Sequence, residues 1–394
     1  MANSRAAPGR RATEHGERNA RALTWSVSGN LTAGKIVPMN TTSSFASGFA
    51  SGHSDAARRQ VAFWLLVCAA LVFVMVVVGG VTRLTRSGLS IVEWQPIAGT
   101  LPPLGETAWQ DMFTKYQATP EYVKVNRGMS LDEFKGIFWW EYIHRLIGRT
   151  IGLVFFLPFV WFLAKRQIPW SAAPKYVGIL LLGGAQGAIG WWMVKSGLVD
   201  LPRVSHVRLA IHLGMAFFIF AVLLWTALGL LARERQPLLS DERQRLARYA
   251  TALAVLVFVM VLSGALVAGT RAGYAYNTFP LMDGRFVPAG LGALEPWWDN
   301  LFHNLTTVQF NHRMIAWLLA FIVPAFWWAC RRADLPVMPR RAVNLLLAML
   351  VVQITLGITT LLFHVPVALG AAHQGGALVL FGLTLWTAHA LRRS

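Results

Sequence analysis

The chain has 394 residues, 55% of them apolar and only 14% charged, with a formal net charge of +18. So few charges exclude an ordinary soluble domain, in which about a quarter of the residues are charged. The basic excess does not require a nucleic-acid partner either, because of where the charges sit.

Eight apolar runs, at about 61–81, 137–163, 174–194, 207–232, 247–269, 305–330, 340–363 and 367–390, punctuate the chain. Each approaches or exceeds the roughly 20 residues that cross about 30 Å of hydrocarbon. They predict an all-α integral membrane protein with eight transmembrane helices. Before them, residues 1–60 carry eight basic and three acidic side chains and no apolar run. That composition reads as a disordered cytoplasmic tail. It is Arg- and Ser-rich like a transit peptide, although Glu14 and Glu17 argue against one, and Met39 offers an alternative start.

With eight alternating helices, the tail, the links 164–175, 233–248 and 331–341, and Arg392 and Arg393 all fall on one side. These segments hold most of the positive excess. The opposite loops do not: 82–136 has six basic and six acidic residues, and 270–304 nets −1. The asymmetry follows the positive-inside rule and places both termini in the cytoplasm. Cys68 lies within the first run and Cys330 at the cytoplasmic end of the sixth, too far apart for a disulfide. Neither belongs to a CxxCH, which excludes covalent c-type heme.

In the outer loop 82–136, residues 106–117 and 130–136 each predict a short amphipathic helix, with Trp109, Phe113 and Tyr116 on one face. The loop 270–304 is rich in Gly, Pro and aromatics, with Trp297 and Trp298 at interface depth.

The chain then repeats. His144-Arg145 in the second run answers to His312-Arg313 in the sixth, and Gln186 in the third to Gln353 in the seventh. His212 in the fourth answers to His373 in the eighth, and Gly79-Gly80 to Ser263-Gly264. An offset of four helices keeps both halves in one orientation. The expected architecture is therefore two pseudo-symmetric four-helix bundles: residues 61–232 with loop 82–136, then a cytoplasmic linker 233–248, then 247–391 with loop 270–304.

His144, His212, His312 and His373 all lie near the outer starts of their helices, one pair per bundle. Shortly after each stands a small one: Gly148, Ala216 and Ala316 four residues on, and Gly376 three residues on. Paired imidazoles with room beside them suit an iron porphyrin, so all four are candidate iron ligands. For any one histidine the competing reading is a hydrogen-bonded bridge between helices; recurrence at matched depth weighs against that for the set. His206, His303, His364 and His389 lack the pattern.

The halves differ at one position. Glu141 precedes His144 by three, where Gln309 precedes His312. A carboxyl group exchanges protons or stabilises a developing cation; an amide only hydrogen-bonds. Burial would also raise the carboxyl's pKa. The difference suggests that the first bundle performs chemistry, with Glu141, His144 and His212 as its catalytic set. The second would hold an electron-carrying heme on His312 and His373. The competing reading of Glu141 is an ion pair with Arg145 or Arg149. Arg83, Arg86, Arg145, Arg149, Arg271 and Arg313 gather on or near the outer face, and Arg83, Arg145, Arg149 and Arg313 are the candidate partners for heme propionates.

From about residue 61 to 390 the sequence resembles the heme A synthases. The resemblance rests on Gly79-Gly80-Val81-Thr82-Arg83-Leu84-Thr85, Ser87-Gly88-Leu89-Ser90 and Phe138-Trp139-Trp140-Glu141-Tyr142-Ile143-His144-Arg145. It continues through Asn277-Thr278-Phe279-Pro280-Leu281-Met282-Asp283-Gly284, Gln309-Phe310-Asn311-His312-Arg313 and Ala371-Ala372-His373-Gln374. The resemblance implies oxidation of a heme O methyl group (C8) to the formyl group of heme A through an alcohol. It implies heme b between His312 and His373, substrate heme in the half of His144 and His212, and a catalytic role for Glu141. The chain lacks the outer-loop cysteine pair of some members and so resembles the branch typical of proteobacteria and mitochondria. The implied membrane is the bacterial inner membrane, with the mitochondrial inner membrane as the alternative. Membrane lipid, a heme O synthase, an electron-transfer partner and a second copy of the chain are the expected partners, and nucleic acid is not. The alternative function is a di-heme b-type cytochrome transferring electrons from quinol.

Overall fold

The computed structural model describes residues 55–95, 98–198, 202–232 and 240–393. The expected tail up to residue 54, Met39 within it, and most of the start of the 233–248 linker lie outside the described residues. Residues 55–60, expected in the tail, are instead the first turns of a helix. Among the described residues all the regular structure is helical, and eight helices are long and apolar enough to cross a membrane.

The first is α1 (Asp55–Leu84). Two short helices follow in the loop, α2 (Glu106–Gln117) and α3 (Pro120–Lys124). Then come α4 (Leu131–Ala164), α5 (Ala173–Lys195) and α6 (His206–Leu231). The second half comprises α7 (Asp241–Thr270), α8 (Leu305–Arg332), α9 (Val337–Leu362) and α10 (Val367–Arg393).

The helix starts have local causes. Ser130 and Glu133 form a reciprocal capping box at α4, and Ser205, Ser240 and Asn304 cap α6, α7 and α8 with their side-chain oxygens. Each cap satisfies amides that the first helical turn leaves without partners. Two helix ends repeat as well. Thr85-Arg86-Ser87-Gly88 follows α1, and Thr270-Arg271-Ala272-Gly273 ends α7. In each, the threonine hydroxyl donates to the carbonyl four residues back, Val81 or Leu266, at 2.8 Å. The arginine then turns left-handed, with φ of 56° at Arg86 and 62° at Arg271.

The expected helix at 130–136 is not separate: α4 runs unbroken from Leu131, because nothing after the Ser130 cap interrupts it. The expected 106–117 helix is α2. Its Trp109 packs on Phe138, and Phe113 and Tyr116 pack on Phe134, with ring centroids 4.8–5.2 Å apart. The loop is thereby glued to the extended start of α4.

Helices α1, α4, α5 and α6 close one ring of neighbours, and α7, α8, α9 and α10 close a second with the same order of contacts. The rings join where α6 meets α7 and α1 meets α10. This junction holds much of the core, including Leu65, Cys68, Phe217, Leu223, Leu246, Ala250, Leu378 and Phe381. The peripheral helices turn Leu153, Leu157, Trp161, Leu181 and Phe321 outward. Apolar side chains facing outward suit helices surrounded by hydrocarbon, where the hydrophobic demand is reversed. Both cysteines are free and buried.

Candidate functional site

Each ring brings its two histidines within electrostatic reach of one another: His144 of α4 with His212 of α6, and His312 of α8 with His373 of α10. All four side chains are only half-buried. All four lie toward the end of the molecule that carries the long loops.

Each imidazole rests on a glycine of a neighbouring helix. A Cβ on Gly79 of α1 would lie 3.1 Å from His144 Nε2, and one on Gly190 of α5 would lie 2.9 Å from His212 Cε1. In the second half Gly264 of α7 stands at 3.1 Å from His312 Cε1, and Gly357 of α9 at 2.9 Å from His373 Cε1. Any larger residue would push the ring off its seat. The small residues that follow each histidine have different neighbours. A side chain at Gly148 would meet Met75, and one at Gly376 would collide with Gln353. Ala216 is packed in the core. The room noticed in the sequence at these positions is taken up by helix packing.

Glutamines secure two of the histidines. Gln186 Nε2 donates to the His212 carbonyl at 3.1 Å and sits 3.5 Å from its Nε2. Gln353 Nε2 donates to the His373 carbonyl at 2.9 Å and sits 3.1 Å from its Nδ1. Gln186 and Gly190, like Gln353 and Gly357, are four apart and share a helix face. One strip of α5 or α9 thus anchors and seats one histidine. The sequence carried this signal as Gln-x-x-x-Gly in both halves, yet only the glutamines were singled out. His312 has an added partner, Ser263 Oγ, 2.8 Å from Nδ1. The matching position in the first half is Gly79, which has no hydroxyl to offer.

Glu141 is 2% exposed and fully engaged. Its Oε2 accepts from Ser90 Oγ at 2.8 Å and the Ile91 amide at 2.9 Å. Its Oε1 accepts from Arg145 Nε at 3.1 Å and Nη2 at 2.6 Å. The ion pair weighed against a proton-transfer role is therefore present. Arg145 also donates to the carbonyls of Ile91 and Glu93. In the second half Gln309 donates to the Tyr276 carbonyl, and Arg313 donates to the carbonyls of Tyr276, Thr278 and Leu281. The two pairs do the same mechanical work, tying a loop down beside a histidine. Only the first contains a carboxylate.

The other arginines expected at propionates also donate to main chain. Arg83 reaches across to the carbonyls of Ala268 and Gly269 at the end of α7, and Arg149 to Gln95. Arg83 and Arg313 each keep a buried Nε without a hydrogen-bond acceptor, as does His212 at Nδ1. A cavity of about 60 Å³ lies among Glu93, Gln95, Tyr142, Arg145 and Arg149, far too small for a macrocycle.

Glu121 was missed by sequence reasoning. It lies in the first turn of α3, 5% exposed, with Tyr116 as a distant hydrogen-bond donor at 3.4 Å. Burial, and then the charge of Glu141, push its carboxyl up to about 7. Nothing in an amphipathic five-residue helix marks one carboxylate as buried.

The four histidines fit an iron porphyrin. Among the described residues no three or more His, Cys, Asp or Glu side chains are placed to share a bare metal ion. Two imidazoles per half, seated and partly open, are donors of the kind an iron porphyrin takes. The unsatisfied guanidinium N–H groups of Arg83 and Arg313 are donors of the kind a propionate accepts.

Residues 62–385 match the COX15-CtaA family, described as cytochrome oxidase assembly protein. Among curated relatives, the heme A synthase of Nitrosospira multiformis is 59% identical over 338 residues, 86% of this chain and 95% of that protein. That of Nitrosomonas eutropha is 54% identical, covering 85% and 94%, and that of Parvibaculum lavamentivorans is 50% identical, covering 86% and 96%.

Proposed function

The chain belongs to the heme A synthase family and is a multi-pass membrane enzyme converting heme O to heme A; from that premise we propose how its two halves divide the work. The second half holds heme b on His312 and His373. The first half takes heme O from the lipid, with His144 and His212 holding or orienting its iron. The observation that carries this division is the exchange of Glu141 for Gln309 within otherwise matching loop clamps.

When bound, heme b would supply one-electron transfer. Taking the substrate methyl carbon to the alcohol, and the alcohol to the hydrated aldehyde, each consumes one water and releases two electrons and two protons, the electrons passing to the external acceptor proposed below; the hydrated aldehyde then loses water. Glu141, held by Arg145, Ser90 and Ile91, keeps a fixed negative charge where positive charge develops on that carbon. To accept a proton it must first loosen from Arg145. His144 is positioned on Gly79 and His212 is anchored by Gln186. Arg83 and Arg313 offer their remaining Nε–H groups to propionates. Arg145 and Arg149 act on the cofactors through the loop they hold.

The basic links face the cytoplasm of a bacterial inner membrane, with both termini inside; a mitochondrial inner membrane is the alternative. A heme O synthase, an electron acceptor and a second copy of the chain are the proposed partners. A di-heme cytochrome fed by quinol is not favoured, given relatives that are heme A synthases.

The test is the pigment extracted from membranes expressing wild type and Glu141→Ala. The variant is expected to retain heme b and yield no heme A. Heme A at the wild-type rate would overturn the catalytic role of Glu141.

A further inference from the structure

Gln374 follows His373 on α10, and its side chain leaves its own half of the molecule. Its Nε2 donates to the carbonyl of Val76 on α1 at 2.6 Å. That carbonyl is reachable because the residue one turn later is Gly80. A Cβ there would stand 3.1–3.2 Å from three atoms of the Gln374 amide. The next residue back, Gly79, is the seat of His144. Two adjacent glycines thus serve two different pockets: Gly79 receives the imidazole of the first half, and Gly80 admits an amide from the second.

The molecule's own repeat provides the control. The residue after His212 is Leu213, which carries no donor, so no amide leaves the first half for α7. There, Ser263 and Gly264 both serve His312 of their own half. The first half does reach α7 through Arg83, which donates to Ala268 and Gly269 at the helix end, but no side chain next to His212 makes the link that Gln374 makes next to His373. A part-buried hydrogen bond this short, in apolar surroundings with few competing donors, resists exchange.

We propose that Gln374 is a positioning residue that couples the two pockets, so that occupancy beside His144 is felt at His373. A ligand that presses the His144 ring onto Gly79 would displace α1, and the Val76 carbonyl with it. Gln374 passes that displacement to the helix turn carrying His373. Such coupling is reciprocal and needs only a small differential free energy. This inference rests on the proposed placement of heme b in the second half and substrate heme in the first.

The test uses the full-length protein purified with its resident heme b. Gallium-substituted heme O, which is redox-inert and EPR-silent, is added while the EPR g values and midpoint potential of heme b are followed. In wild type both are expected to shift on addition. In Gln374→Met, similar in length but without a donor, the shift is expected to vanish while heme b content is retained. Gly80→Ala breaks the same contact from α1 and is expected to abolish the shift too, so it decides the matter if Gln374→Met fails to retain heme b. A full shift in either heme-retaining variant overturns the coupling. So does wild type that binds heme b and the gallium compound without any shift, and in that case the assignment of the pockets survives. Wild type purified without heme b overturns both.

Discussion

The two halves share one scaffold and differ in how tightly they hold their histidines. In the second, Nδ1 of His312 is met by Ser263 and Nδ1 of His373 by Gln353. Hydrogen bonds at Nδ1 fix the orientation of both rings, which holds an imidazole in one place for a resident partner. In the first, Gly79 replaces the serine, Gln186 approaches His212 at Nε2 from 3.5 Å, and Nδ1 of His212 has no partner. The half with looser rings is the half with the buried carboxylate. A cofactor that stays benefits from fixed ligands, and a substrate that must leave as product benefits from weaker ones. The difference teaches that the repeated frame was specialised around the histidines at a few side chains, while the four-helix order was kept.

The sharpest way to break that comparison is to remove ligands one half at a time. His312→Ala or His373→Ala is expected to eliminate bound heme b, measured as its pyridine haemochrome, whereas His144→Ala retains it. Loss of heme b from His144→Ala instead would reverse the halves. Next in size, Glu141→Gln, which gives the first half the amide of the second, should lower heme A formation on the order of 1,000-fold with heme b intact. Unchanged turnover in that variant would reduce the carboxylate to a loop tether.

The clamps themselves should differ in cost. Arg145→Leu leaves Glu141 buried and unpaired, so about 3 kcal/mol of stability should be lost. Arg313→Leu strands only neutral carbonyls and should cost about 1.5 kcal/mol. Denaturation in detergent measures both, and the opposite ranking would contradict the comparison.

The loops offer a smaller contrast, since the first buries Glu121 and the second buries Asn300, bonded to Leu294 and Trp297. A carboxyl raised from 4.5 to about 7 favours the folded state fully below 4.5, and that contribution is lost as pH rises through 7. Glu121→Gln should therefore raise the melting temperature by about a few degrees above pH 7, with the two curves converging at low pH. A constant offset at every pH would mean the carboxyl is not raised. Smallest of all, Ser263→Ala should cost about 0.5–1 kcal/mol, seen as faster loss of heme b on dilution. An unchanged loss rate would mean that the serine does not secure His312.

Much of this was legible before any coordinates. Polar side chains stand out in apolar helices, so His144, His212, His312, His373 and Glu141 announced themselves, as did the four-helix offset. What stayed hidden was whatever depends on a neighbouring helix. Gly190 and Gly357 look like packing residues until the helix beside them delivers an imidazole. The arginines could be singled out because charge shows in a sequence, whereas the carbonyls of Ile91, Glu93, Tyr276 and Thr278 that take some of their donors could not. The Ser130 capping box did mark the true start of α4, which an apolar count beginning at residue 137 overlooked.

Helix α4 has 34 residues and is therefore about 51 Å long, well over the thickness of the lipid tails. Its surplus length carries its first turns into the long loop, with α2 lashed to them by aromatic rings. The imidazole of His144 rides farther down the same stiff rod. Force applied outside the membrane, whether by an antibody fragment or a docking protein, would tilt that ring without ever entering its pocket.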